Sequence, residues 1–167
     1  NTADTFTVWA DVDANGEVRE SDKSNNLATA ICVIDLRPPN LVITAVTGVP
    51  SSPTVTDRVT FHLTVWNIGQ RPAAACLLAG TANIGATRWG DLPTVDIPAL
   101  QPGASTTLDV LAGPFPTAAT YTATFTADGD NRITEMEETD NYKSLTFTVA
   151  SPRPASYDAW DPADNVS

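Results

Sequence analysis

An internal repeat constrains this chain more than any other feature of its sequence. Residues 5–34 parallel residues 122–149 when two residues near Ala14 and Asn15 are treated as an insertion. The order of acidic, apolar and amide side chains matches: Asp11 with Asp128, Asp13 with Asp130, Val18 with Ile133, Glu20 with Glu135, and Asn26 with Asn141. We therefore expect residues 1–36 to form a β-hairpin without the other strands that accompany its copy, and an isolated hairpin is marginally stable in water.

The remainder of the chain predicts an all-β fold. The whole chain is rich in Thr and Val, and its 13 Pro and 9 Gly favour short strands joined by turns. Residues 59–66 alternate cleanly, with Val59, Phe61, Leu63 and Val65 on one face and Thr60, His62, Thr64 and Trp66 on the other. The predicted strands are Leu41–Val49, Val59–Trp66, Ala73–Leu78, Ser105–Leu111, Tyr121–Thr126 and Ser144–Val149, with one or two short strands around Arg88-Trp89 and Val95–Ile97. About seven strands indicate an immunoglobulin-like antiparallel β-sandwich over residues 37–150.

The net charge excludes several classes of partner. The chain carries 20 acidic and 9 basic residues and a formal charge of −11, which argues against nucleic acid and anionic membranes. No apolar run is long enough to span a membrane, and no signal-peptide pattern opens the chain. We expect no direct membrane insertion and expect any export signal to have been removed.

The N-terminal hairpin differs from its copy in surface character. Leu27–Ile34 is almost wholly apolar, whereas the copy alternates apolar with polar residues. Ile31 and Val33 stand where the copy has polar residues, so both faces of the hairpin need cover. Together with Trp9, they predict an assembly interface.

Four segments resemble a known family. They are Asn40-Leu41-Val42-Ile43, VTFHLTVWNIGQRPAAA from Val59, LQPGASTTL from Leu100, and DGDNRITEMEETDN from Asp128. They resemble the CARDB domain, a cell-adhesion-related, immunoglobulin-like β-sandwich found in tandem on bacterial surface and secreted proteins. The resemblance covers residues 40–150 and implies a noncatalytic module at an extracellular or cell-surface location. Asp140-Asn141 departs from the two asparagines usual there, and Trp89-Gly90-Asp91 has no counterpart.

Two acidic segments are candidate cation sites. Oxygens at positions 1, 3, 5, 7 and 12 of a loop with glycine at position 6 are typical of calcium sites. The candidate ligands are Asp11, Asp13, Asn15, Glu17 and Asp22, around Gly16. Arg19 opposes a cation, and a solvated acidic connection is the alternative. A second, weaker loop holds Asp128, Asp130 and Glu135; here we favour the solvated interpretation.

The remaining chemical candidates are few. Cys32 and Cys76 are expected either to be two buried thiols or to form a disulfide that pins the hairpin. His62, the only histidine, is expected on the surface, and no catalytic motif is present, so we expect no enzyme. Trp9, Trp66 and Trp89 could form a sugar-stacking platform if they faced solvent together.

Residues 151–167 are expected to be a Pro-rich tail or linker. Tyr157 and Trp160 are possible anchors, and the tail ends in a glycosylation triplet at Asn165. The hypothesis for the whole chain is a noncatalytic structural or adhesive subunit that assembles head to tail into a fibre through residues 1–36, with copies of itself as partners. The alternatives are a spacer in a longer tandem array and a carbohydrate-binding module for surface polysaccharide.

Overall fold

The computed structural model describes residues 4–34 and 37–152. Within these ranges the chain forms nine strands and no helix. The first two strands are β1 (Asp4–Asp11) and β2 (Leu27–Ile34). The others are β3 (Leu41–Val49), β4 (Val59–Asn67), β5 (Cys76–Ile84), β6 (Thr87–Ile97), β7 (Ser105–Ala112), β8 (Ala119–Thr126) and β9 (Tyr142–Val149).

The strands form three antiparallel sheets. β1 and β2 make a separate two-stranded sheet, β3-β4-β7 a three-stranded sheet, and β6-β5-β8-β9 a four-stranded sheet. The three- and four-stranded sheets pack face to face around one core. The prediction of an immunoglobulin-like sandwich of seven strands, preceded by an extra hairpin, is confirmed.

Strand β4 shows why these residues fold in this way. From Val59 to Trp66 the residues alternate between buried apolar side chains and side chains on the outer face, among them Trp66, as the sequence predicts. Phe61 lies at the centre of the sandwich, where its ring centroid is 5.1 Å from that of Phe125 and 5.5 Å from that of Phe147. Burying one such side chain contributes about 1.5–3 kcal/mol. This contact joins the two sheets.

A buried amide organises the turn after β4. The Asn67 Oδ1 atom accepts from the backbone N–H groups of Asn40 (3.1 Å) and Gly69 (3.0 Å), and its Nδ2 atom donates to the carbonyls of Arg71 (2.8 Å) and Leu100 (3.0 Å). Gly69 cannot carry a side chain, because a Cβ atom there would lie 2.4 Å from the Pro38 carbonyl oxygen. The Val-x-Asn-x-Gly pattern therefore serves the fold.

The predicted strand Ala73–Leu78 is wrong in its bounds. Ala73 forms only an isolated bridge with Leu100, and the strand itself runs from Cys76 to Ile84. Gly80 is inside this strand because it lies opposite Phe125: a Cβ atom would come within 2.9 Å of that ring.

The stretch from Arg88 to Ile97 is one strand, not two. It is the eleven-residue β6, which pairs with β5 through two register shifts. These irregularities interrupt the two-residue alternation on which the sequence prediction depended.

The expectations for Tyr157, Trp160 and Asn165 lie outside the described residues. So do residues 1–3 and 35–36 of the expected hairpin segment.

Candidate functional site

The N-terminal acidic loop, residues 12–26, is closed by one carboxylate. Asp13 adopts a positive φ of 58°, and its Oδ1 and Oδ2 atoms accept from the backbone N–H groups of Glu17 (2.7 Å) and Val18 (3.1 Å). Lys23 Nζ lies 3.2 Å from Oδ2. These hydrogen bonds lower the pKa of Asp13, although desolvation, the largest single influence, acts in the opposite direction. The carboxylate therefore holds its own loop together.

The C-terminal acidic loop, residues 127–141, repeats this geometry. Asp128 has a φ of 52° and accepts from the backbone N–H groups of Arg132 (3.0 Å) and Ile133 (2.9 Å). A second positive φ follows three residues later in both loops, at Gly16 and Asn131.

The predicted alignment of the two loops is therefore wrong at its N-terminal end. Asp13 corresponds to Asp128, and no insertion separates the copies. Each residue of the hairpin corresponds to the residue 115 positions later, since β1 starts at Asp4 and β8 at Ala119, while β2 ends at Ile34 and β9 at Val149.

A second pair of local contacts also repeats. The backbone N–H and the hydroxyl of Ser24 both donate to Asp22 Oδ1, at 2.8 and 2.6 Å. Thr139 makes the same two bonds to Glu137 Oε1, at 3.1 and 2.5 Å. These bonds lower the pKa of both carboxyl groups.

Glu135 is the most unusual group in the C-terminal loop. It is 7% exposed, and its carboxylate accepts from the backbone N–H of Leu41 and from Asn141 Nδ2 (2.9 Å). Burial is the largest cause that raises its pKa, to about 7, and the nearby Glu138 and Asp128 add to the rise. Glu135 thus fastens the loop to the first strand of the sandwich.

The hairpin copy of this carboxylate is Glu20. Its Oε2 atom accepts from Asn26 Nδ2 at 2.9 Å, which matches the pair formed by Glu135 and Asn141. The sequence repeat aligned Glu20 with Glu135 and Asn26 with Asn141, but it predicted neither the glutamate–asparagine contacts nor the backbone contact to Leu41. A glutamate followed six residues later by asparagine, in both copies, was the available signal.

Two of the candidate calcium ligands, Asp13 and Asp22, are engaged within their own loop. No group of three or more His, Cys, Asp or Glu side chains within residues 4–34 and 37–152 is arranged to hold a metal. In the second loop Asp130 pairs with Arg132, and Asp128 and Glu135 bind backbone N–H groups. In this structure these carboxylate oxygens bind groups of the protein itself, which closes the loops.

The residues expected at an assembly interface are exposed. Ile31 is 72%, Trp9 68% and Val33 59% exposed, and they occupy the hairpin face that corresponds to the outer, Thr-rich face of β8 and β9. The opposite face carries Phe6 and Val8, which are also exposed although their copies Tyr121 and Ala123 are fully buried.

The two cysteines are free thiols in different environments. Cys76 is buried in the core, as expected, and burial is the largest of the causes that raise its pKa to about 11. Cys32 is exposed on β2, so the expectation of two buried thiols is wrong for this residue. The alternative, a disulfide between them, is not formed, since Cys76 belongs to the sandwich core whereas Cys32 lies on the exposed hairpin.

The tryptophans do not form a common platform. Trp89 packs against Phe115 and Tyr121, with centroid distances of 5.0 and 5.9 Å, whereas Trp66 is exposed at the other sheet. His62 lies on the outer face of β4 as predicted, 2.6 Å from Asp109 on β7. Both side chains of this pair are exposed to solvent.

The family of this fold follows from a match to a family model. A family model described as CARDB matches residues 38–145. The chain belongs to the CARDB family. The resemblance drawn from the sequence is confirmed, and the domain is of the adhesion-related, surface-associated type. No curated protein is significantly similar in sequence.

Solved structures agree with this CARDB fold. The crystal structure of the CARDB domain of the PF1109 protein from Pyrococcus furiosus, in complex with di-metal ions, has a TM-score of 0.54 and 19% identity and covers 70% of this chain and 98% of its own. The solution structure of the same domain gives a TM-score of 0.51, 19% identity and coverages of 69% and 98%. At such identities the likeness shows the fold alone.

A β-glucosidase from Erythrobacter marinus also contains a similar domain. Its TM-score is 0.50 at 13% identity, and the match covers 67% of this chain but only 16% of the enzyme. The likeness therefore concerns one small part of that enzyme.

Among the described residues of this CARDB chain, the structure contains no helix long and apolar enough to cross a membrane.

Proposed function

We propose that this chain is a noncatalytic structural unit of an extracellular or cell-surface protein, in which its N-terminal hairpin joins it to a further β-sandwich. Membership of the CARDB family supports the adhesion-type role. One observation carries the proposal: β1 and β2 copy β8 and β9 residue for residue, yet the apolar residues that β8 buries have exposed counterparts in β1. The hairpin is thus part of a sandwich whose other strands must come from elsewhere.

Two arrangements would supply those strands. In a head-to-tail fibre they belong to another copy of this chain, and in a tandem array they belong to a preceding module. In every copy of this chain, β8 and β9 already occupy the position next to β5. A second copy of this chain therefore has no free β5 edge for the hairpin, which favours the tandem array. In a fibre, the hairpin would have to bind a different edge or face of the neighbouring copy.

The light-scattering mass of the chain tests the choice. We expect a mass close to 17.6 kDa at micromolar concentration. A much larger mass would contradict the tandem arrangement and support the fibre, provided that the Ile31→Asp/Val33→Asp variant returned to the monomer mass. A substitution pair on the outer face of the copy, Thr146→Asp/Thr148→Asp, is the matched control.

Binding to surface polysaccharide is a second candidate, favoured by the exposure of Trp66 on the outer face of the sandwich. An exposed indole can stack on a sugar ring. Retention on an insoluble polysaccharide that Trp66→Ala abolishes and Trp9→Ala preserves would support this role. Equal retention of both variants would exclude Trp66 as the binding residue.

A further inference from the structure

The residues on the inner face of the hairpin, compared with their counterparts in β8 and β9, indicate what kind of surface covers them. We infer that this face docks on the open half of another CARDB-type sandwich, whose β5-like strand differs from β5 of this chain at two positions. The inner face includes Phe6, Val8, Ala10, Ala30, Cys32 and Ile34. The inference deepens the proposed structural role, and rests on it.

The copy shows how such a face is covered. Residues Ala79–Ile84 of β5 pair with Tyr121–Thr126 of β8, and the Phe125 ring packs on Phe61 from the opposite sheet. The hairpin keeps the same register, because Asp4 pairs with Ile34 as Ala119 pairs with Val149. The edge of β1 that corresponds to this pairing is therefore shaped to accept a β5-like strand.

The loop contacts of the copy have counterparts in the hairpin. In the copy, Gly129 N–H donates to the Leu77 carbonyl (2.8 Å), and Leu77 N–H donates to Asp130 Oδ1 (3.3 Å). Ala14 and Asn15 hold the corresponding N–H and side-chain oxygen. The hairpin can therefore make both bonds to a docked strand.

A third contact comes from the buried glutamate. Glu135 accepts the backbone N–H of Leu41, at the start of the first sandwich strand. Glu20 holds the same position in the hairpin and already keeps its asparagine partner, Asn26. Its carboxylate is therefore placed to accept the N–H of the equivalent first strand in a docked sandwich.

At two positions the hairpin differs from β8 and the loop after it, and these differences predict how the partner sandwich differs from the sandwich of this chain. Ala10 replaces Phe125, whose ring makes the two shortest contacts of a Cβ atom built at Gly80 (2.9 and 3.0 Å). The Gly80-like position can therefore hold a larger side chain once the residue equivalent to Leu92, whose Cβ lies 3.2 Å away, shifts by a few tenths of an ångström. Ala14 replaces Gly129, where a Cβ atom would lie 2.4 Å from the Cβ of Ala79. The partner strand therefore carries a larger residue at the Gly80 position and glycine at the Ala79 position. A second copy of this chain fits poorly on both counts.

A fused chain tests this complementarity. A second copy of residues 37–118 is joined directly to Asp4, which corresponds to Ala119, so that the added strands meet the hairpin at native spacing. One version keeps the native added copy, and the matched version carries Ala79→Gly and Gly80→Val in that copy alone. The readout is hydrogen exchange of the β1 amides, compared with the unfused chain.

We expect β1 amides to exchange on the order of 100-fold more slowly in the matched fusion than in the unfused chain, with a smaller gain in the native-copy fusion. Adding Glu20→Ala to the matched fusion should reverse at least about tenfold of that gain. Unchanged β1 exchange in both fusions, while β4 and β8 of the original sandwich stay protected, would overturn the inference. The mass measurement is independent of this result, because it tests the proposed function on the unfused chain.

Discussion

Replacing Glu135 by glutamine should stabilise the sandwich, and the gain should depend on pH. Burial raises the pKa of this carboxyl from its ordinary value of 4.5 to about 7 in the folded chain. Between these values the folded state retains a proton that the unfolded state has lost, so stability falls as the pH rises through this window. The difference corresponds to a loss of about 3 kcal/mol above pH 8.

Glutamine removes the charge and keeps an acceptor for Leu41. Its Nε2 group would face Asn141, whose Oδ1 atom is buried without a hydrogen-bond partner. A flip of the Asn141 amide would let Oδ1 accept from the new donor. We therefore expect Glu135→Gln to raise the free energy of unfolding by about 2–3 kcal/mol at pH 8 and by less than about 1 kcal/mol at pH 5.

Urea denaturation followed by tryptophan fluorescence measures this difference, because Trp89 packs against the core. Glu135→Ala should instead destabilise the chain at pH 5, by about 1–3 kcal/mol for each donor left without an acceptor. Glu20→Gln is the matched control and should leave unfolding of the sandwich unchanged at both pH values. A Glu135→Gln variant that is less stable than the parent at pH 8 would refute the reasoning.

Three further predictions follow from the environments of single residues. A maleimide reagent should label Cys32 in the native chain and Cys76 only after unfolding; rapid labelling of both would contradict the burial of Cys76. Gly129→Ala should destabilise the chain by about 1–3 kcal/mol in urea, because its Cβ would meet Ala79, whereas the opposite substitution in the other copy, Ala14→Gly, should have less than about half that effect. Because the Asp13 carboxylate is engaged by backbone N–H groups, 1 mM calcium should leave the thermal midpoint within about 1 °C of its value in chelator; a rise of several degrees would restore the calcium hypothesis.

The sequence predicted the fold where side-chain alternation was regular. Strand β4 has buried and exposed residues at the predicted positions because each of its faces meets one kind of environment. The prediction failed beyond Leu78, where the apolar run ends but the strand continues through Gly80, which accommodates the Phe125 ring. That contact joins residues 45 positions apart, and local patterns do not reveal it.

The repeat was visible in the sequence, but its alignment was not. Matching aspartate with aspartate placed Asp11 opposite Asp128 and required an insertion. The structure pairs Asp13 with Asp128 because both have positive φ and accept from the residues four and five positions later. Glycine and asparagine both tolerate positive φ, so aligning Gly16 with Asn131 would have removed the insertion.

The two copies of the loop also separate local from tertiary causes of structure. The copy beside Asp128 is covered by the sandwich, whereas the copy beside Asp13 is exposed, yet both keep the same carboxylate bonds and the same second turn. Burial therefore does not create this loop shape; the local hydrogen bonds do. A hairpin whose loop is already formed loses less conformational entropy when it docks, so more of the apolar burial on its inner face contributes to affinity. The same argument identifies the Asp13 carboxylate as a group that should affect docking through the shape of its own loop.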